Sequence, residues 1–155
     1  MRYLVDPFPR PEASLIDLLR TAAGDRDRGV RIYDRRGKTI VRKTWAEVVD
    51  LSARWATWAR ATGVRPGDHV MISLPTSFEF AAAWFGAVLL GARPLALALP
   101  RAMGGENAFQ RRIRGLWDFL SPAWLVAEGW ARETLEKSEV PEAAAGRVHE
   151  FPDLS

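Results

Sequence analysis

The middle of the 155-residue chain alternates short apolar segments with longer segments of helical periodicity, and this alternation strongly limits the possible folds. The short segments are 69–74, 94–99 and 123–127, and the helical segments between them are 78–90 and 107–120. Strands separated by helices of about ten to fifteen residues form βαβ units, which build parallel sheets with helices on both faces. The predicted class is therefore α/β, with a mostly parallel sheet flanked by helices.

The first part of the chain predicts an arm, a short helix and a β-hairpin. Three prolines within residues 1–13 favour extended backbone, so this stretch is expected to be an extended arm. Ser14 is a suitable N-cap for a short amphipathic helix, and Gly24 is placed to end it. The apolar segments 30–33 and 39–41 flank a polar turn that contains glycine, which predicts an N-terminal β-hairpin.

A second and longer helix is expected directly after the hairpin. Thr44-Trp45-Ala46-Glu47 fits a capping box, in which the Thr hydroxyl and the Glu carboxylate satisfy free backbone N–H groups at a helix start. The helix is expected to run to about Thr62, with Gly63 as its stop. The side chains expected on its apolar side are Val48, Leu51, Trp55, Trp58 and Thr62.

Residues 14–155 are expected to form a single α/β subdomain behind the arm. The composition, 48% hydrophobic and 26% charged, is typical of a soluble globular domain, and no repeat or linker divides the chain. Towards the C-terminus, residues 130–137 favour a further helix, 140–146 a loop and 147–151 a last strand.

Composition also excludes several classes of protein and site. The chain has no cysteine, which excludes disulfides, thiolate metal sites and a cysteine nucleophile, and makes a cytoplasmic location the default. No apolar run is long enough to span a membrane, and the N-terminus does not resemble a signal peptide. The net charge is +3, with acidic residues interspersed among 19 Arg and 3 Lys, so no nucleic-acid partner is expected.

No catalytic, cofactor-binding or metal-binding residue is assigned from motifs. Neither of the common glycine-rich phosphate loops occurs, and there is no serine nucleophile elbow. Gly104-Gly105 stands before a predicted helix, where an anion is conceivable, but a flexible loop is the favoured interpretation. His69 and His149 lack the spacing of metal ligands, and both are expected to be structural.

Two clusters have both a functional and a structural interpretation. The first, a candidate site for phosphate or an acidic carrier protein, consists of Arg111, Arg112 and Arg114. The apolar stripe on the same helix favours a solvated basic face instead. The second, a candidate apolar substrate channel, consists of Phe78, Phe80, Trp84 and Phe85. Aromatic side chains on a helix of an α/β protein are more often packed in a core or an interface, which is the favoured interpretation.

Three segments, in the same order and at similar spacing, resemble one enzyme family. Residues 44–48 resemble its T-Y-x-E-L helix start, and residues 63–70 its G-V-x-x-G-D-x-V turn into a strand. Residues 75–80 and 87–95 resemble its N-S-x-E-F and G-A-x-x-x-P-L segments. The family is the adenylate-forming (AMP-binding) superfamily of acyl-CoA synthetases, fatty acyl-AMP ligases and nonribosomal adenylation domains.

The resemblance covers nearly all of residues 14–151 and is most similar to fatty acyl-AMP ligases. The sequence of residues 97–101 is similar to that of this branch. A loop and a helix that ends at 121–126 follow it, as they do in the branch. The matched positions are caps and turns, while the family's ATP, Mg²⁺ and adenylation motifs lie downstream of residue 155. The resemblance therefore implies ATP and Mg²⁺ in the longer enzyme, and a 155-residue chain that is inactive alone and is an excised piece or a proteolytic remnant.

The function implied by the resemblance is that of an N-terminal subdomain. The longer enzyme would form acyl-AMP from a carboxylic acid, here a fatty acid, and pass it to a thiol on an acyl carrier protein or CoA. Its other subdomains would be the partners of this chain, and the apolar helix 78–90 predicts self-association of the isolated chain. The alternative is a free-standing, non-catalytic interaction module derived from that fold. A third possibility, an unrelated nucleotide-binding α/β domain, requires a phosphate loop that is not found.

Overall fold

A computed structural model describes residues 14–34, 36–99, 106–129 and 146–154. Within these ranges the chain forms four helices and six strands. In chain order they are α1 (Leu15–Ala22), β1 (Gly29–Tyr33), β2 (Thr39–Thr44), α2 (Trp45–Ala61), β3 (His69–Ser73), α3 (Phe78–Leu90), β4 (Arg93–Ala96), α4 (Glu106–Leu120), β5 (Trp124–Ala127) and β6 (Val148–His149). The predicted arm 1–13, the helix 130–137 and most of the loop 140–146 lie outside the described residues.

The N-terminal elements form as their local signals predict. Ser14 caps α1 in a capping box with Asp17, and the helix ends at Ala22, two residues before Gly24. The strands β1 and β2 pair antiparallel, with Gly29 opposite Thr44 and Tyr33 opposite Thr39. The predicted short helix and N-terminal hairpin are therefore confirmed.

The second capping box is also confirmed and starts α2. The side-chain oxygen of Thr44 accepts a hydrogen bond from the backbone N–H of Glu47, and the Glu47 carboxylate accepts one from the Thr44 N–H. The helix ends at Ala61, and the next glycine, Gly63, has the positive φ of 120° that a side chain disfavours. One expectation was wrong, because Thr62 caps the helix end as an exposed residue and does not belong to the apolar side.

The other strands form one four-stranded parallel sheet in the order β4-β3-β5-β6. Two of them are shorter than predicted by two residues or more. The strand expected at 94–99 ends at Ala96, opposite Ile72 of β3, and the last bond between the two strands joins the Leu97 N–H to the Ile72 carbonyl over 2.8 Å. The strand expected at 147–151 is reduced to β6, which pairs only with Leu125 and Val126.

Helices cover both faces of this sheet, as expected for an α/β fold. Alternate strand residues form two cores. One packs Val70, Ile72, Trp124 and Val126 against α2 and α3. The other packs Met71, Leu125 and Ala127 against Phe109, Ile113 and Trp117 of α4.

Within the first core, α2 and α3 pack closely at Gly86. A Cβ added at Gly86 would lie 2.6 Å from Cε3 of Trp55 and 2.7 Å from the carbonyl oxygen of Ser52. Trp55 and Ser52 are both fully buried. The two helices can therefore approach this closely only because position 86 has no side chain.

Candidate functional site

The strand order creates a crevice at the carboxyl end of the sheet. The chain leaves β3 through α3 to reach β4 on one side, and then passes through α4 to reach β5 on the other side of β3. Because the chain continues from β3 to β4 on one side and from β5 to β6 on the other, the connections that follow β3 and β5 lead in opposite directions across the sheet. Ligands of open α/β sheets bind at such a switch point, outside the carboxyl ends of the strands.

A concave site of about 290 Å³ lies at this position, and we call it the switch-point crevice. It is formed by the segments after β3, β5 and β6. Its lining residues are Leu74, Pro75, Ser77, Glu79, Ala127, Glu128, Gly129, Glu150 and Phe151.

The polar groups after β3 are set by the start of α3. Ser77 is the N-cap of this helix, and its hydroxyl oxygen accepts a hydrogen bond from the Phe80 N–H over 3.1 Å. Glu79 lies in the first turn and is exposed, where a carboxylate interacts favourably with the helix dipole. The Ser77 hydroxyl thus caps α3, and Glu79 is the charged group that α3 contributes to the crevice.

Two more carboxylates come from the other strands. Glu128 follows β5 and Glu150 follows β6, and both are exposed. A Cβ added at Gly129 would lie 2.9 Å from Oε1 of Glu150, so Gly129 makes room for that carboxylate. Together with Glu79, these groups give the crevice an acidic rim.

A second hollow, of about 550 Å³, adjoins the crevice, and we call it the side hollow. It shares Glu79 and Phe151 with the crevice and is otherwise lined by Lys43, Leu51, Arg54, Pro152, Asp153 and Leu154. The Arg54 guanidinium donates to the Leu154 carbonyl over 2.6 Å and pairs with Asp50 over 2.9 Å. The segment after β6 is therefore held against α2, and Lys43 and Arg54 line the same hollow as Glu79.

This arrangement can bind a ligand or another part of a protein, but no reaction step is assigned to its residues. Within the ranges that the structure describes, no group of three or more His, Cys, Asp or Glu side chains is placed to hold a metal ion. No step through Mg²⁺ is therefore derived for the described residues.

The two histidines singled out in the sequence occupy structural positions. His69 begins β3, and its carbonyl accepts from the Ala123 N–H over 2.9 Å. His149 lies in β6 with its ring centroid 4.0 Å from that of Trp124 and 6.1 Å from that of Trp58. Neither lines the crevice. Gly104-Gly105 lies outside the described residues.

The aromatic cluster agrees with its structural interpretation, whereas the exposure of the arginine cluster fits both of its interpretations. Arg111, Arg112 and Arg114 are exposed on α4, whereas the apolar stripe of the same helix is buried. In the aromatic cluster Phe78 is 5% exposed and packs in the core, and the Trp84 and Phe85 rings meet edge to face at 5.4 Å. Neither the arginines nor the aromatic side chains line the switch-point crevice.

The acidic rim was missed by sequence reasoning. Glu128 and Glu150 directly follow strands, and Glu79 lies in the first turn of the helix after β3, which is a usable signal once the strands are known to be parallel. The strand order decides which of these ends are neighbours, and no local motif encodes that order.

The chain matches the family of AMP-binding enzymes over residues 18–102, more than half of its length, and it belongs to this family. The resemblance read from the motifs is thereby confirmed. The fold is accordingly that of an α/β N-terminal subdomain of the adenylate-forming enzymes.

Individual relatives are similar over much of this chain but are several times longer. A Caulobacter vibrioides protein named as an acyl-CoA synthetase is 30% identical over 88 residues, which are 57% of this chain and 15% of that protein. A structure from a study of fatty acyl-adenylate ligases from E. coli and L. pneumophila has a TM-score of 0.76 at 22% identity, and the match covers 89% of this chain and 24% of the chain in that structure. The structure of McyG A-PCP complexed with phenylalanyl-adenylate has a TM-score of 0.75 at 15% identity, over 92% of this chain and 22% of its own.

In the part of the chain that the structure describes, no helix is both long and apolar enough to cross a membrane.

Proposed function

We propose that this chain is the N-terminal subdomain of an ATP-dependent ligase that activates a carboxylic acid as acyl-AMP and transfers the acyl group to a thiol. The observation that supports this most directly is the match to the AMP-binding enzyme family over residues 18–102. The switch-point crevice adds a concave surface where α/β proteins commonly bind ligands.

The proposed substrate is a fatty acid. The support is the fold similarity to a fatty acyl-adenylate ligase, together with the resemblance of residues 97–101 to that branch. The similar fold of McyG, whose structure holds phenylalanyl-adenylate, makes an amino acid the main competing substrate.

The proposed reaction has two steps. A carboxylate oxygen of the acid attacks the α-phosphorus of ATP, the new P–O bond forms, and the bond to pyrophosphate breaks so that pyrophosphate leaves. A thiol of a carrier protein or CoA then attacks the acyl carbon, its proton is lost to solvent or a base, and AMP leaves. The described residues of this chain would supply one wall of the binding site, and the groups that bind ATP and Mg²⁺ are assigned to other parts of the longer enzyme.

The partners proposed for this chain follow from its place in the longer enzyme. They are the remaining subdomains of that enzyme, whose solved relatives are about four times as long as this chain. The absence of cysteine supports a cytoplasmic location as part of the proposal.

Carboxylate-dependent exchange of labelled pyrophosphate into ATP tests the proposal. The product of the whole reading frame that encodes this chain would be measured with a long-chain fatty acid, phenylalanine and a keto acid in parallel. We expect exchange with the fatty acid, and none from the 155-residue chain alone. Exchange only with phenylalanine would overturn the fatty-acid substrate. A reading frame that stops after Ser155, or a full-length product with no exchange for any acid, would favour the non-catalytic interaction module.

A further inference from the structure

The outer side of α4 presents four residues on one surface, which we call the α4 outer face. They are Arg111, Arg112, Gly115 and Phe119. Spacings of three, four, seven and eight residues place side chains on the same side of a helix. The opposite side of α4 packs against the sheet through its buried stripe, so the outer face is not needed to hold the helix in place.

Phe119 is the most exposed large hydrophobic side chain among the described residues, at 84%. A single exposed apolar side chain is ordinary on a protein surface. Its position matters here because it continues a line that starts at the two arginines and passes over Gly115.

Among the residues that the structure describes, none requires a glycine at position 115. A Cβ added at this position would meet no atom within 4 Å, in contrast to the crowded Gly86. The backbone also does not require glycine, because Gly115 is absent from the glycines with positive φ. A glycine inside a helix is less stable than alanine by about 0.5–1 kcal/mol. What a glycine does provide at this position is space, because another molecule can approach the backbone of α4 closely where there is no side chain.

The charge of the face indicates what approaches it. Arg111 and Arg112 are exposed and form no ion pair with another described residue. The exposed Asp118 lies seven positions after Arg111, at the edge of the same face, so the face combines two guanidinium groups with one carboxylate. Guanidinium groups pair with carboxylates through two parallel hydrogen bonds. The face is therefore complementary to a surface that combines carboxylates with an apolar contact.

We propose that the α4 outer face docks a small acidic helical protein. Resting on the proposed function, we infer that this protein is the acyl carrier protein that presents the acceptor thiol, and not CoA. The face extends over about 12 Å of helix, at about 1.5 Å per residue from Arg111 to Phe119. Neither the switch-point crevice nor the side hollow is lined by α4, so the surface suits a protein helix better than an enclosed nucleotide. An acidic helix would place its carboxylates on the arginines, cross closely over Gly115 and pack against Phe119.

The test is calorimetric titration of the 155-residue chain with purified acyl carrier protein at low and high salt. We expect Arg111→Glu/Arg112→Glu to weaken binding by about tenfold or more, and salt to weaken binding to the unmodified chain, because the contact is electrostatic. The matched control is Arg31→Glu/Arg93→Glu, which makes the same change of charge at exposed positions of β1 and β4 and should leave the affinity unchanged.

Gly115→Ala separates docking from folding. The methyl group should raise the urea midpoint, since alanine favours a helix, while it weakens carrier binding by keeping the partner helix away. Weaker binding by a more stable variant cannot result from misfolding. Phe119→Ser should also weaken binding.

Three results would overturn the inference: no binding of the carrier protein, equal affinities for the α4 variants and the control, or binding of CoA that the Arg111→Glu/Arg112→Glu change abolishes. The proposed function is judged separately by pyrophosphate exchange, which the α4 variants should not alter. Exchange without carrier binding would refute the docking surface alone. A full-length product without exchange would refute the proposed function.

Discussion

At the scale of single residues, the start of α2 shows how two side chains satisfy a helix end. The Glu47 Oε2 atom accepts from the Thr44 N–H over 2.7 Å and from the Thr44 hydroxyl over 2.8 Å. The Thr44 hydroxyl oxygen accepts from the Glu47 N–H over 3.2 Å. Ser14 and Asp17 repeat the same pattern at α1. Each box replaces hydrogen bonds that the first helical turn cannot make to itself.

Replacing Thr44 by alanine should destabilise the fold. Thr44→Ala removes both the cap acceptor and the hydroxyl that binds Glu47, and the expected loss is about 0.5–2 kcal/mol. Glu47→Ala should fall in the same range, and neither change should alter any ligand response. Urea midpoints measure the loss, with Thr57→Ala at an exposed site on the same helix as the control. Midpoints equal to that of the unmodified chain would contradict the capping argument.

The same carboxylate predicts a pH dependence. The hydrogen bond from the Thr44 backbone, followed by the one from its hydroxyl, lowers the pKa of Glu47 below its ordinary value of 4.5. A lowered folded-state pKa gives stabilisation that is present above the unfolded pKa and is lost as pH falls through the folded value. Glu47→Gln should therefore lose less stability than the unmodified chain on acidification through this range.

Urea unfolding over a series of acidic pH values measures this difference. Hydrogen bonds from Ser14 and from the Arg28 backbone also lower the pKa values of Asp17 and Asp25, so some dependence should remain in the variant. Parallel pH profiles for the two proteins would show that Glu47 contributes nothing to acid sensitivity.

At the scale of elements, the contact between α2 and α3 depends on one missing side chain. Gly86 faces the Trp55 ring and the Ser52 carbonyl, and the latter is backbone that cannot rotate away. Ser52 in turn donates its hydroxyl to the Val48 carbonyl over 2.7 Å, inside the core. The spacing of the two helices is thus limited by backbone atoms as well as by side chains.

Adding one methyl group at this contact should be costly. Gly86→Ala is expected to destabilise the fold by about 1–3 kcal/mol, because overpacking forces the helices apart. Gly115→Ala is the matched control, since the same change in an open part of α4 should stabilise by about 0.5–1 kcal/mol. Urea midpoints shifted in the same direction by both variants would contradict this account of Gly86.

At the scale of the whole molecule, α3 is the element whose surroundings remain incomplete. One side packs fully in the core, through Phe78, Ala82, Ala83, Gly86 and Ala87. Other apolar side chains of the helix, Trp84 and Phe85 among them, are only partly buried. A helix that is apolar all round is typical of burial on every side. Half-covered aromatic rings therefore offer a surface for association.

We predict that the isolated chain self-associates through α3. Trp84→Lys should shift it towards monomer, because a charge on this half-buried position opposes apolar contact. Thr57→Lys, an exposed position on α2, is the control that adds the same charge elsewhere. Sedimentation at several concentrations measures the effect. A chain that stays monomeric at high micromolar concentration would show that α3 is already sufficiently covered.

The sequence by itself determined the elements and the class of the fold. The caps at Ser14 and Thr44, the stop at Gly63, the apolar run of α3 and the apolar period of α4 act within a few residues. Short-range hydrogen bonds and side-chain periodicity are therefore enough to predict these helices from the sequence. Alternation of strands and helices then implied a parallel sheet, because strands joined through a helix run in the same direction.

Only the tertiary structure decided which strand ends meet. The order β4-β3-β5-β6 places the carboxylates after β3, β5 and β6 around one crevice, although Glu79 and Glu150 are far apart in the sequence. Strand lengths were decided by pairing as well, since β4 pairs with β3 only as far as Ala96 and β6 pairs with β5 over two residues. The open surroundings of Gly115 and the crowded ones of Gly86 are equally invisible in the sequence, where both are glycines within a helix. Pairing and packing involve residues that are distant in the chain, and local propensity does not encode them.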